Sequence, residues 1–142
     1  SINFIKRLFL KVLILEDDNS MIKLYNHWLK KANIDIEYCS NGEEAMGSYL
    51  KDQNHNFDLI IADLHLEGSK SGEQVINFLK GIEVKSEGTT PVLFLSAFID
   101  QEIRTKFKKE KNVKFMEKKN IGYSNFIQRV ESLIRPSKKS GF

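Results

Sequence analysis

Phe57-Asp58-Leu59-Ile60-Ile61-Ala62-Asp63 is the stretch that decides the fold of this chain. From Phe57 to Ala62 the run is apolar apart from Asp58, and a loop rich in Gly and Ser follows Asp63. A strand covered on both faces, as in a parallel sheet, reads as a continuous apolar run rather than an alternating one. Read this way, Asp63 stands at the C-terminal end of a central strand. That edge is where open α/β sheets bind their ligands.

Three further apolar runs, Val12–Leu15, Val92–Leu95 and the weaker Val113–Met116, read as strands of the same kind. Ile34-Asp35-Ile36-Glu37-Tyr38-Cys39 alternates, which suggests a half-exposed edge strand. Helical spacing fills the gaps. Ser20 is a candidate N-cap for a helix carrying Leu24, Trp28, Leu29 and Ala32 near one face. Glu43 to Lys51 follows the Asn41-Gly42 turn signal, and Glu73 to Lys85 places Val75, Ile76, Leu79 and Ile82 at helical spacing. Asp100 is a candidate cap for a polar helix to Lys109. Tyr123 to Ile134 carries Phe126, Ile127, Val130, Leu133 and Ile134, with Pro136 beyond it as a stop. The order is β-α five times over. It predicts an α/β domain of three layers, with a five-stranded parallel sheet between helices. Right-handed crossovers and the edge-like second strand favour the order 2-1-3-4-5, the flavodoxin-like (βα)5 arrangement.

The chain's 142 residues fit one domain, able to bury a core without disulfides or a structural metal. Hydrophobic content of 41% and charged content of 29% match a soluble globular profile. One cysteine, Cys39, cannot form an internal disulfide, and no signal peptide is evident, so a reducing cytoplasm is the expected setting. Lys6, Arg7 and Lys11 interrupt the greasy start, Ile2 to Leu15, which is too short and too charged to span a membrane. Residues 1–8 read as an N-terminal extension, 9–136 as the domain and 137–142 as a C-terminal tail. Net charge is +3, yet between Arg104 and Lys119 eight basic residues face two acids. Such a cluster is either a solvated helix face or a surface for an acidic partner or nucleic acid.

Four strand ends carry polar groups: Glu16-Asp17-Asp18, Asp63, Ser96 and Glu117-Lys118. In a parallel sheet these ends share one edge. The order 2-1-3-4-5 makes strands 1 and 3 neighbours, so Glu16, Asp17 and Asp63 should converge. Three carboxylates brought together repel unless a cation neutralises them. Mg²⁺ suits such an oxygen set, since it takes one or two carboxylates, keeps waters and accepts phosphate oxygens. A serine hydroxyl donates to a phosphoryl oxygen and a lysine offsets its charge. The set fits phosphoryl transfer, with a carboxylate nucleophile forming an aspartyl phosphate. Taken singly, each group has a plainer reading. Asp17 to Ser20 could cap the first helix, Asp63 could serve a turn, and His65 could be an ordinary loop residue.

Taken together, these residues resemble the receiver domain of two-component response regulators. The matching pieces are Val12-Leu13-Ile14-Leu15-Glu16-Asp17-Asp18, Asp58 to Leu64, Ser71-Gly72, Pro91 to Ala97 and Phe115-Met116-Glu117-Lys118, and the resemblance covers about residues 10–135. It implies Asp63 as phospho-acceptor, Glu16 and Asp17 as the acidic metal pair, and the backbone carbonyl of His65 as a further Mg²⁺ ligand. Ser96 would be the switch hydroxyl, Lys118 the phosphate-contacting lysine, and Phe115 the aromatic that turns inward on activation. It also implies a cytoplasmic phosphoprotein of a phosphorelay, fed by a histidine kinase or phosphotransfer protein. Its state would be read by a protein partner or a homodimer through the face of helix 4, strand 5 and helix 5. No membrane contact and no direct nucleic-acid binding are expected.

Four features depart from the family's usual pattern. Lys119 stands where proline commonly follows the lysine, so a trans Lys118–Lys119 bond is expected, since a non-proline cis bond costs about 2.5–4 kcal/mol. Glu67 replaces a usual proline, and Gly68 to Gly72 is one residue longer than usual. Phe98, with His65, would flank the path of an attacking water, which predicts a slowly hydrolysed phosphoryl group. Two alternatives stay open. One is a receiver-like interaction module without phosphorylation control. The other is a phosphatase with an aspartyl nucleophile, weakened by His65 standing where such enzymes place a second Asp. No G-x-x-x-x-G-K-[ST] run supports a P-loop.

Overall fold

A computed structural model of the chain describes residues 10–51, 57–66, 72–83 and 90–134, with the side chains of Leu50 and residues 78–83 left aside. The described residues form one parallel sheet of β1 (Leu10–Leu15), β2 (Ile34–Cys39), β3 (Leu59–Ala62), β4 (Val92–Ser96) and β5 (Val113–Glu117), in the order 2-1-3-4-5. Between them run α1 (Asn19–Lys31), α2 (Gly42–Lys51), α3 (Gly72–Glu83), α4 (Gln101–Lys106) and α5 (Tyr123–Ile134), with a 3₁₀ turn at Lys118–Asn120. The α/β class and strand order are those expected. The extension 1–8, the tail 137–142, Glu67, the 68–71 loop and Pro136 lie outside the described residues.

Alternation of side chains along the central strands makes two cores. Leu13, Leu15, Ile60, Ala62 and Phe94 face Ala45, Tyr49, Val75, Ile76 and Phe107 on one side of the sheet. Val12, Ile14, Leu59, Ile61, Leu93 and Leu95 face Met21, Tyr25, Trp28, Leu29, Phe126 and Val130 on the other. Val12–Leu15, Leu59–Ala62 and Val92–Leu95 on the inner strands are buried on both faces and so had to be apolar. β2, at the edge, keeps Asp35 exposed and Glu37 half-buried, which explains its alternation.

Several boundaries differ from the sequence reading. Asp18, not Ser20, is the N-cap of α1: its backbone is extended and its Oδ1 accepts the Ser20 N–H at 2.9 Å. Leu24 is 38% exposed. At about 100° per residue it falls on the flank of the Met21–Tyr25–Trp28 stripe opposite Leu29, so Tyr25 takes the buried place. α4 ends at Lys106 rather than Lys109, because Phe107 leaves the helix to pack on Phe94, ring centroids 5.2 Å apart. Asp100 holds the N-cap position of α4 but makes no side-chain capping bond. At the end of α1, Asn33 adopts φ 60°, the left-handed conformation that asparagine tolerates beyond a helix, and its N–H bonds to the Lys30 carbonyl.

Gly72 opens α3 hard against the end of β3. A Cβ built there would lie 2.0 Å from the Asp63 carbonyl oxygen and 2.9 Å from its carbonyl carbon. Neither backbone atom can yield without displacing Asp63. Gly72→Ala should therefore lower stability by about 2 kcal/mol, in the range of overpacked sites. A urea midpoint equal to that of the unsubstituted protein would contradict this.

Candidate functional site

Sheet register sets the site. Leu15 pairs with Ala62 and Ser96 with Glu117, so Glu16, Asp63, Ser96 and Lys118 emerge at the same C-terminal edge. The Asp63 N–H bonds to the Leu15 carbonyl and the Glu16 N–H to the Cys39 carbonyl, both at 3.0 Å, which ties the ends of β1, β2 and β3 together.

Asp63 is 5% exposed and well supplied with donors. Its Oδ1 accepts the His65 N–H at 3.0 Å and the Ser96 hydroxyl at 2.9 Å. Its Oδ2 accepts Lys118 Nζ at 2.8 Å. Burial pushes the carboxyl up, but the His65 N–H, Lys118 and Ser96 outweigh it and hold the group below the ordinary carboxylate range. Asp63 is thus an ionised carboxylate at neutral pH.

Glu16 is 1% exposed. Lys118 Nζ lies 3.0 Å from its Oε1 and 3.2 Å from its Oε2. The Asp18 N–H reaches Oε2 at 3.2 Å, and the Tyr25 hydroxyl reaches Oε1 at 3.3 Å. Burial raises this carboxyl; Lys118 opposes the rise and the charge of Asp63 adds to it. Burial first, and then the charges of Glu16 and Asp63, also push the Tyr25 phenol up, so it remains a donor. The amine of Lys118 is pushed down by burial but raised overall by Asp63 and Glu16.

Asp17, half-buried, completes the acidic group: one oxygen from each of Glu16, Asp17 and Asp63 lies within 4.8 Å of the others. The three carboxylates form an oxygen set that fits a hard divalent cation retaining waters. The structure brings Glu16, Asp17, Asp63, Ser96 and Lys118 together. His65 is exposed; its Nε2 donates to the Phe98 carbonyl at 3.1 Å, joining the loops after β3 and β4. The ring of Phe98 is 60% exposed. The Lys118–Lys119 bond is trans.

Phe115 is half-buried, its ring near-parallel to Phe94 at 5.6 Å and edge-on to Phe107 at 6.5 Å. The Arg104 guanidinium covers it 5.4 Å from the ring centroid and lies 3.6 Å from Glu117. Lys119 shares Glu117 at 3.5 Å, and Lys106 meets Glu73 at 2.8 Å. Part of the basic cluster therefore balances acids of the same chain, while Lys108, Lys109 and Lys111 are exposed. Tyr25, Arg104 and the close approach of Gly72 were not legible as site features. A tyrosine in an apolar stripe looks like core, and an arginine in a basic run looks like surface.

The family described as the response regulator receiver domain matches residues 12–131. The chain is similar to the regulatory protein VanRB of Enterococcus faecalis, 24% identical over 128 residues, covering 90% of this chain and 54% of that protein. The chain spans about half or less of the length of the curated relatives it matches. Among solved structures, the non-phosphorylated HemR receiver domain of Leptospira biflexa superposes with TM-score 0.72 at 25% identity, covering 89% of this chain and 94% of that one. The chemotaxis protein CheY4 of Vibrio cholerae has TM-score 0.72 at 22% identity, with 88% and 98% covered, a likeness of fold.

Proposed function

Because this chain belongs to the response regulator receiver domain family, we propose that it is a phospho-accepting switch, with Asp63 as the acceptor. The observation that carries this reading is the setting of Asp63: an ionised carboxylate with Ser96 at 2.9 Å, Lys118 at 2.8 Å and the oxygens of Glu16 and Asp17 beside it. An Asp63 oxygen attacks the phosphorus of a phosphohistidine on a histidine kinase or phosphotransfer protein. The new O–P bond forms as the P–N bond breaks, and the imidazole nitrogen keeps the electron pair. Ser96 then donates to a phosphoryl oxygen, and Lys118 turns from Asp63 towards the added charge. Glu16, Asp17, Asp63 and the His65 carbonyl would hold Mg²⁺, which supplies neutralisation of charge on the phosphoryl oxygens. The chain positions and stabilises its own modification and is not a turnover enzyme.

The phosphoryl group biases the face of α4, β5 and α5 through Ser96 and Phe115. With Lys108, Lys109 and Lys111 exposed nearby, an acidic protein surface or a second receiver fits that face. Among the described residues no helix is long and apolar enough to cross a membrane, and a cytoplasmic setting is part of the proposal.

The test is intact mass after incubation with acetyl phosphate. With Mg²⁺ the protein should gain one phosphoryl group, and with a chelator none. Followed over time after donor removal, the added mass should persist for minutes or longer; a half-life of seconds would refute slow hydrolysis. An unchanged mass with Mg²⁺ would favour a second reading, an interaction module set without phosphorylation. One observation supports that reading: the Ser96 hydroxyl meets Asp63 at 2.9 Å with no phosphoryl group on the carboxylate.

A further inference from the structure

Tyr25 joins the acidic pocket from the side of the core. Its side chain is 1% exposed, and its ring lies 5.7 Å from that of Phe126, so α1 and α5 fix it between them. A tyrosine ring held this way leaves its hydroxyl little freedom. That hydroxyl points at Glu16 Oε1, 3.3 Å away.

The donors around Glu16 differ in how firmly they are committed. The Asp18 N–H belongs to the start of α1 and reaches Oε2 at 3.2 Å. Lys118 Nζ spans both oxygens, but the same ammonium also bonds Asp63 Oδ2 at 2.8 Å. It is the mobile member of the set, because a divalent cation among these carboxylates repels it and any negative charge added at Asp63 draws it away. Oε1 would then keep the Tyr25 hydroxyl as its donor. A distance of 3.3 Å is long for O–H···O, as expected for an acceptor shared with an ammonium, and it can shorten when the ammonium leaves. A buried carboxylate oxygen stripped of every donor is strongly disfavoured.

We propose that Tyr25 is a positioning residue for the cation site: its hydroxyl holds the buried Glu16 carboxylate in place while Lys118 is displaced. The inference rests on the cation-binding part of the function proposed above. Groups that orient metal ligands in this way typically change metal affinity by about 10–100-fold when removed.

Tyr25→Phe keeps the ring and its packing and removes only the hydroxyl. The thermal midpoint is followed as Mg²⁺ is added, with no phosphodonor present. The Mg²⁺ concentration giving half of the stabilisation should rise about tenfold, while the midpoint in chelator stays within a few degrees of the unsubstituted protein. With acetyl phosphate, the half-saturating Mg²⁺ should rise likewise and the rate at saturating Mg²⁺ should hold. Tyr38→Phe is the control, since the Tyr38 hydroxyl bonds the Ile22 carbonyl on the same helix at 3.2 Å. It should lower the midpoint in chelator without moving the Mg²⁺ dependence. Equal Mg²⁺ dependence in Tyr25→Phe and the unsubstituted protein overturns the inference. So does a shift as large in Tyr38→Phe. Absence of any Mg²⁺ effect in the unsubstituted protein overturns the cation site itself, and this inference with it.

Discussion

Asp63→Asn should leave a folded protein that gains no mass from acetyl phosphate and Mg²⁺. The amide lacks the anionic oxygen that attacks phosphorus, so the loss is complete rather than partial. The fold survives because the carboxamide oxygen still accepts from the His65 N–H and the Ser96 hydroxyl, which both meet Oδ1 at about 3 Å in the present site. Lys118 keeps Glu16 as a partner. Intact mass and far-ultraviolet circular dichroism together check this. A phosphoryl group still gained by a folded Asp63→Asn protein would place the acceptor elsewhere and remove the basis of the functional reading.

Lys118→Met should slow phosphorylation by acetyl phosphate about 10²-fold, the lower end of what removing one charged stabiliser of a developing anion costs. It should also destabilise the fold. The Lys118 side chain is 16% exposed and stands between two carboxylates that are 1% and 6% exposed. Removing it leaves Glu16 and Asp63 facing each other unpaired, at a cost of about 3 kcal/mol at neutral pH. The pH dependence has a definite sign. The amine is raised above its ordinary 10.5, so its contribution is complete below that value and is lost as pH rises through the higher folded value. Asp63 lies below its ordinary 3.8, so its contribution is present above 3.8 and is lost as pH falls through the lower folded value. Glu16, raised above 4.5 by burial and by Asp63 against the pull of Lys118, gives up its share of the pairing first as acid is added. Urea midpoints of the two proteins should therefore differ most around neutral pH and converge as pH falls below 3.8 or rises above 10.5. A difference that stays constant into strong alkali would show that the loss comes from packing, not from the ion pairs.

Much of the fold could be read directly, for a physical reason. Leu59 to Ala62 and Val92 to Leu95 are buried on both faces, so no polar residue could interrupt them and their strand character stood in plain view. Ile34 to Cys39 lies at the edge and alternates because one face meets water. The polar residue ending each run was equally plain, since a chain leaving a parallel sheet emerges at the ligand-binding edge. Helix ends were less legible. Asp18, Asn19 and Ser20 can all cap, and Asp18 is the one whose N–H is tied to Glu16 and whose Oδ1 meets the Ser20 N–H. Phe107 looked like one more helical residue, and its attraction to the Phe94 and Phe115 rings ends α4 early.

By itself the order of the amino acids determined a five-stranded parallel α/β sheet and the gathering of Glu16, Asp17, Asp63, Ser96 and Lys118 at one edge. These follow from hydrophobic period and chain direction, which are local properties. Only the tertiary structure decided that Tyr25 touches Glu16, that Gly72 must be glycine beneath the Asp63 carbonyl, and that Arg104 covers Phe115. Each is a contact between segments that no local pattern relates. Its existence depends on ångström-scale placement of one element against another, and a linear sequence carries that only through the packing of the whole.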